Sequence, residues 1–264
     1  MKVGFIGCGN MASAMLGGII QKDVVAKEDL MASARTEKTR KKIKEEFQIA
    51  AIEDNKELAA KSDIIVLAIK PVYMEEVIEE IAECVTEEKI IVTLAPGKTL
   101  EWLDVTFGKP TKLIRTMPNT PALVGEGMTA LCPNELVSDR EMQVVEEIFQ
   151  SFGKTQVVSE PMIDVVVGVS GSSPAYVFLF IEAMADAAVA DGMMRAQAYE
   201  FAAQAVLGSA KMVLETGMHP GALKDMVCSP GGTTIEAVRV LEEKGMRSSV
   251  FEASKAAVKK ARGL

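Results

Sequence analysis

Up to about residue 158 the chain alternates short, unbroken apolar runs with stretches of helical character, and few folds accept that rhythm. VGFI (3–6), LMAS (30–33), DIIVLAI (63–69), KIIVTLA (89–95), KLIRTM (112–117), MTALC (128–132) and TQVV (155–158) read as strands. Helical patterns lie between them: Met11 to Gln21, around 36–46, from near Val72, near Leu100, and about Ser138 to Phe152. Strands alternating with helices predict βαβ units and a doubly wound parallel sheet. The runs are continuously apolar rather than alternating, as expected when helices cover both faces.

After Glu160 the rhythm stops. Residues 161–264 carry helical patterns rich in Ala and Met, roughly at 161–168, 174–190, 196–216, 234–244 and 247–261, and no strand. A chain of 264 residues therefore reads as an α/β domain over 1–159 and an all-helical domain over 160–264. The helix at 174–190 is apolar almost all round, yet Glu182 and Asp186 interrupt it, and a membrane span needs about 20 mostly apolar residues. It is expected to be buried, not to cross a membrane. It is either the central helix of one monomer or a contact with a partner chain. Its alanines (175, 183, 185, 187, 188, 190) allow another helix to come close, and so small a domain has little else to cover it.

Composition closes off other classes. Twenty-nine Lys and Arg against 37 Asp and Glu give a net charge of −8, which excludes nucleic acid as a main partner. Cys8, Cys84, Cys132 and Cys228 are far apart, and His219 stands alone, so no metal site is expected. Scattered thiols and an N-terminus unlike a signal peptide point to the cytoplasm.

Gly7-Cys8-Gly9-Asn10-Met11-Ala12 follows the first strand and opens the first helix. This is GxGxxA, the dinucleotide-binding pattern. Gly7 permits the tight turn, Gly9 lets the backbone approach a pyrophosphate, and Ala12 lets helix and strand pack closely. The second strand ends in Ser33-Ala34-Arg35-Thr36, with no acid to hold a ribose 2′-OH. Ser33, Arg35 and Thr36 instead offer donors to a 2′-phosphate, unless Arg35 is merely solvated. Ala68-Ile69-Lys70-Pro71, Leu94-Ala95-Pro96-Gly97 and Arg115 to Pro121 follow strands, where open sheets bind ligands, and Asn119 could pair with a nicotinamide carboxamide.

In the helical part, Ser229-Pro230-Gly231-Gly232 forms a turn and Thr233-Thr234 start a helix. Such a start can cradle a carboxylate with N–H groups and hydroxyls, or can be an ordinary N-cap. Gly168 to Tyr176 either caps the long helix or lines a cleft. No Lys occurs between Lys154 and Lys211, which removes the lysine that 3-hydroxy-acid dehydrogenases of this two-domain plan use as acid and base. His219 reads as structural. A hydride acceptor that is already a protonated imine needs no enzyme acid, and serines, threonines and N–H groups would serve it.

With GFIGCGNMA, AIKP, RTMPNTPALVGEG, SGSSPAY and HPGALKDMVCSPGGTTIEAV together, the chain resembles the pyrroline-5-carboxylate reductase family along essentially its whole length. The resemblance implies a Rossmann domain and a helical domain that interleaves with a partner in a homodimer, with rings of dimers as a further assembly. It implies NADPH-preferring, NADH-tolerant reduction of 1-pyrroline-5-carboxylate to L-proline. Carried over by position, the cofactor would meet Ile6, Gly7, Cys8, Gly9, Asn10 and Met11, Ser33 and Arg35, Asn55, Ala68, Ile69, Lys70 and Pro71, and Ala95, Pro96 and Gly97. The substrate would meet Glu160, Val227, Ser229, Gly232, Thr233 and Thr234, with Thr234 nearest the chemistry. Met226 and Ser173 stand where some relatives have Asn and Gly. The rival readings are a reductase of the same fold acting on another imine or a deazaflavin, and a dinucleotide-binding regulator without turnover.

Overall fold

The computed structural model describes residues 1–263. The order is β1 (Val3–Ile6), α1 (Asn10–Lys22), β2 (Leu30–Ser33), α2 (Glu37–Phe47), β3 (Ala50–Ile52), α3 (Asn55–Lys61), β4 (Ile64–Leu67), α4 (Met74–Ile81), β5 (Ile90–Thr93) and α5 (Leu100–Phe107). Then follow β6 (Lys112–Met117), β7 (Gly127–Pro133), α6 (Asp139–Gln150), β8 (Gly153–Val157) and α7 (Glu160–Val166). Helices α8 (Ser173–Ala190), α9 (Arg195–Thr216), α10 (Pro220–Val227), α11 (Thr233–Glu243) and α12 (Met246–Ala261) complete the chain.

The strands form one sheet in the order β3-β2-β1-β4-β5-β6-β7-β8. The sheet is doubly wound about β1, as expected for a Rossmann-type domain, and its crossing point lies between β1 and β4. Alternate strand residues feed two cores, one on each face: Val3, Phe5, Val66 and Val92 in one, Ile6, Ile65, Leu67 and Ile91 in the other. Both faces are covered, which is why the strands are apolar without interruption.

The structure corrects the sequence reading in several places. Two strands are reversed: β7 runs antiparallel to β6, and β8, parallel to β7, shares its direction. Only a short link built on a 3-10 turn over Thr120–Val124 joins β6 to β7, too little chain for a parallel crossover. Strand β3 and helices α3 and α10 were not anticipated. The strands expected over 63–69 and 89–95 stop at Leu67 and Thr93, which turns their tails into loops. The stretch 168–176 does cap α8, at Ser172 and without a side-chain bond, but its first residues belong to a π-helical turn, Val167–Gly171, that continues α7.

Many helix starts are closed by side chains. Thr36 accepts from Thr39 N–H, Asp54 from Lys56 and Glu57 N–H, Thr99 from Trp102 N–H, and His219 Nδ1 from Gly221 N–H. Helix α6 has a full capping box between Ser138 and Glu141. Burial works against the charge of the Glu141 carboxyl, but bonds from Lys112 and from the Ser138 hydroxyl and N–H outweigh it and bring its pKa down to about 2. Helices α1 and α11 are different: each starts on a glycine, Gly9 and Gly232, with no side-chain cap.

By contacts the chain divides into a unit of residues 1–171 with 257–264 and a unit of residues 172–256. Within the second, Ala185, Ala198 and Ala202 are the buried hydrophobic residues, while Phe178, Leu179, Phe201 and Leu214 are exposed. Helix α8 is therefore not a central helix buried within one chain.

Candidate active site

Four loops of the first unit are aligned by the ladder itself. Gly7 N–H donates to the Ser33 carbonyl at 3.0 Å, Ala68 N–H to the Ile6 carbonyl at 2.9 Å, and Leu94 N–H to the Leu67 carbonyl at 3.3 Å. The carboxyl ends of β2, β1, β4 and β5 thus lie side by side, and with them Ser33, the glycine loop, Ala68–Pro71 and Ala95–Gly97.

Gly7 has φ +89°, and a Cβ there would stand 2.7 Å from the Ala68 carbonyl oxygen, so only glycine fits. At Gly9 a Cβ would meet nothing within 4 Å: the backbone opens on free space at the mouth of an uncapped helix. That space, facing the unpaired N–H groups and positive end of α1, fits a pyrophosphate. Burial pushes the Cys8 thiol pKa up, which keeps it neutral beside such an anion. Asn10 is exposed and Met11 half-buried. Ile6 and Ala95 are 2% exposed, so they face the loop with backbone alone and their side chains belong to the core. Ile69 and Pro71 are half-buried, and Lys70, Pro96 and Gly97 exposed.

At the adenosine side, Arg35 is exposed but not free: its guanidinium lies over the Tyr73 ring, 4.9 Å from the centroid. Thr36, expected as a donor, is occupied as the cap of α2 and by the Thr39 hydroxyl. Ser33 Oγ donates to Asn55 Oδ1 at 2.7 Å, and Asn55 Nδ2 donates to Glu80 Oε2 at 2.8 Å. Arg40 Nη1 donates to the carbonyls of Ala34 and Arg35, and its Nη2 pairs with Glu53 at 2.9 Å, so Arg40 shapes the turn that carries Arg35. Tyr73, Arg40 and Glu80 went unseen in the sequence, where they lie in ordinary-looking polar helical segments.

Two expected residues are bonded within the fold. Asn119 is 8% exposed: its Oδ1 accepts from Met128 N–H at 2.8 Å and its Nδ2 donates to the Ser170 carbonyl at 3.1 Å. The amide ties β7 to the π-helical turn, and its expected role toward a nicotinamide is withdrawn. Glu160 Oε1 accepts from Leu100 N–H at 2.7 Å and from Arg115 Nη1 at 3.0 Å, and Arg115 Nη2 reaches Asp164 at 3.4 Å. Arg115 is 3% exposed, so Glu160 balances a buried charge at the start of α7.

In the second unit, Ser229 Oγ lies close beneath Gly232, where a Cβ would be 2.5 Å from it. Gly232 N–H donates to the Ser229 carbonyl at 3.0 Å, closing the turn. Among the described residues, Thr233 and Thr234 make no side-chain hydrogen bond, so the start of α11 is no ordinary N-cap. Thr233 is exposed, Thr234 half-buried, and Val227 and Met226 are exposed at the end of α10. The turn thus presents hydroxyls, N–H groups and a positive helix end that the chain does not consume. No cluster of metal-ligating side chains occurs among the described residues.

Two family models match separate parts of the chain. Residues 160–264 match the family model for pyrroline-5-carboxylate reductase dimerisation, and residues 2–97 match that for coenzyme F420-dependent NADP oxidoreductases. The pyrroline-5-carboxylate reductase of Escherichia coli is 57% identical over 252 residues, 96% of this chain and 94% of that protein. That of Methanosarcina acetivorans is 41% identical over 96% of this chain and 93% of its own. The crystal structure of pyrroline carboxylate reductase from Plasmodium falciparum with NADP bound has a TM-score of 0.90 at 33% identity, covering 100% of this chain and 97% of its own. The Coxiella burnetii enzyme superposes with a TM-score of 0.93 at 35% identity, covering 99% and 97%. At such identity over nearly the whole length, the chain belongs to the pyrroline-5-carboxylate reductase family.

Proposed function

We propose that the protein reduces 1-pyrroline-5-carboxylate to L-proline, the last step of proline biosynthesis, as a cytoplasmic homodimer that prefers NADPH and also uses NADH. The observation that supports this most is the 57% identity over 96% of the chain to a protein named for that reaction. The bound nicotinamide supplies a hydride. The uncapped start of α1 and the bare backbone at Gly9 hold the pyrophosphate. Arg35, braced on Tyr73, and Ser33 and Asn55 receive the adenosine ribose. Gly232 and the Thr233 hydroxyl take the substrate carboxylate at the positive end of α11, with Ser229 shaping the turn. The Thr234 hydroxyl stands next to the ring nitrogen. The imine nitrogen arrives protonated, so as C5 gains the hydride the C=N electron pair moves onto nitrogen and leaves a neutral amine; a hydrogen bond from Thr234 to the developing lone pair steadies that change without an acid of the enzyme. Glu160, through its second oxygen, and Val227 are the further candidates.

The unpaired apolar face of α8 supports dimerisation through residues 160–264, with rings of dimers as a higher assembly. Residues 160–190 are long and apolar enough to cross a bilayer. We read them as a protein contact because they fall within the dimerisation match. Four free cysteines support a reducing compartment.

The test is a steady-state assay with pyrroline-5-carboxylate and each cofactor, together with proline-dependent reduction of NADP⁺ at high pH. Tight nucleotide binding without turnover would leave a regulator instead. Arg35→Asp should cut kcat/KM with NADPH by about 10- to 100-fold and spare NADH. Equal losses with both would show that Arg35 does not read the phosphate.

A further inference from the structure

The bonds Glu80–Asn55–Ser33 decide which atom carries which proton. A carboxylate oxygen only accepts, so the end of the Asn55 amide that faces Glu80 is its NH₂ group, at 2.8 Å. The opposite end, facing Ser33 at 2.7 Å, is then the amide oxygen, which also only accepts. Ser33 must therefore donate. Its one hydroxyl proton is spent inside the protein, and what Ser33 offers to a ligand is a lone pair. Ser33 is 1% exposed at the end of β2, and Asn55 and Glu80 are half-buried at the start of α3 and the end of α4, so the relay is held on three ordered elements.

A lone pair suits a ribose 2′-OH, which can donate to it, and repels a 2′-phosphate, which presents only acceptor oxygens. The end of β2 has no acid of its own, but Glu80, from a segment far off in sequence, gives Ser33 the acceptor character that an acid would supply. We propose that Glu80 is a positioning residue for cofactor preference: by locking the Asn55 amide it turns Ser33 into an acceptor that favours the unphosphorylated ribose and offsets the pull of Arg35 on a 2′-phosphate. This rests on the reading of Ser33, Arg35 and Asn55 as the adenosine side of the cofactor site.

Glu80→Gln keeps the shape and removes the lock, since a glutamine amide can face Asn55 with either end. Asn55 can then turn its NH₂ toward Ser33, and the hydroxyl proton is freed for a phosphate. Calorimetry on the full chain with 2′,5′-ADP and 5′-AMP reads this directly, and kcat/KM for NADPH and NADH reads it in turnover. Glu80→Gln should raise the ratio of 2′,5′-ADP to 5′-AMP affinity by about 10-fold, the scale of one hydrogen bond to a charged group. Asn55→Ala, which removes the acceptor of the Ser33 proton, should move the ratio the same way. In a Ser33→Ala background the Glu80→Gln shift should vanish. Equal weakening of both nucleotides, as expected if Glu80 merely ties α4 to α3, overturns the proposal, as does a shift that persists without the Ser33 hydroxyl. Failure of the wild type to bind 2′,5′-ADP overturns the cofactor reading and this inference together. Binding that Arg35→Asp weakens, with a ratio indifferent to Glu80→Gln, overturns the inference alone.

Discussion

The two compact units cover their apolar residues in opposite ways, and the contrast separates stability from assembly. In residues 1–171, Phe5, Leu16, Ile65, Leu113 and Phe152 are wholly buried by the sheet and its helices. In residues 172–256, Phe178, Leu179, Phe201, Leu207, Leu214 and Phe251 are each more than half exposed. The large aromatic and branched core of the first unit is covered by its own chain, whereas those residues of the second stay uncovered within it. Helix starts cut across that split: α6 in the first unit has a capping box and α10 in the second is capped by His219, whereas α1 and α11, one in each unit, start on glycine with no side-chain cap.

The largest effect expected from this contrast is on the core. Phe5→Ala should cost about 3–5 kcal/mol in urea unfolding, and Phe178→Ala under about 1 kcal/mol in a dilute single chain. Comparable losses at both positions would erase the distinction. Leu179→Glu should leave the fold of the first unit intact by near-UV circular dichroism and abolish pairing in light scattering, through an unpaired charge in an apolar contact. A variant that still sizes as a dimer at micromolar concentration would place the interface elsewhere.

The helix starts give a second comparison at smaller scale. Thr234→Ala should lower turnover by roughly 10- to 100-fold, about 1.4–2.7 kcal/mol of transition-state stabilisation, with an unchanged melting temperature. Unchanged kinetics would remove Thr234 from the mechanism. Glu141→Gln should do the reverse, costing about 1 kcal/mol of stability and no activity. Its pH dependence follows from the depressed pKa. The carboxyl sits near 2 in the fold against an ordinary 4.5, so its contribution is complete above about 4.5 and drains away as the pH falls from there toward 2. The wild-type melting temperature should therefore fall more steeply over that window than that of Glu141→Gln. Parallel curves would show that the capping box holds no such charge.

Much of this was legible because burial on both faces writes itself into the strands: VGFI, IIVL and IIVT need no partner to be recognised. Strand β3 was not, since Ala50–Ile52 is three residues at the sheet edge and none of them is buried. The direction of β7 is a matter of link length, not of its own residues. Among site residues, the glycine loop and the turn at 229–234 are local motifs and could be read. Glu80 and Arg115 could not, because each acts on groups 25 to 49 residues away through bonds that only the fold brings about. Asn119 misled for the same reason: an amide in a loop looks available until the fold supplies Met128 N–H and the Ser170 carbonyl.

The bare face of α8 and α9 also bears on how the protein is made. The sheet is synthesised first and can close its cores on the ribosome, whereas the helical unit emerges last with its phenylalanines and leucines uncovered. In the dimer proposed above, maturation is then second order: pairing falls with the square of the concentration of new chains, while loss to chaperones and proteases falls only in proportion. In such a dimer, lowering expression slows the meeting of two finished chains more than the folding of either one.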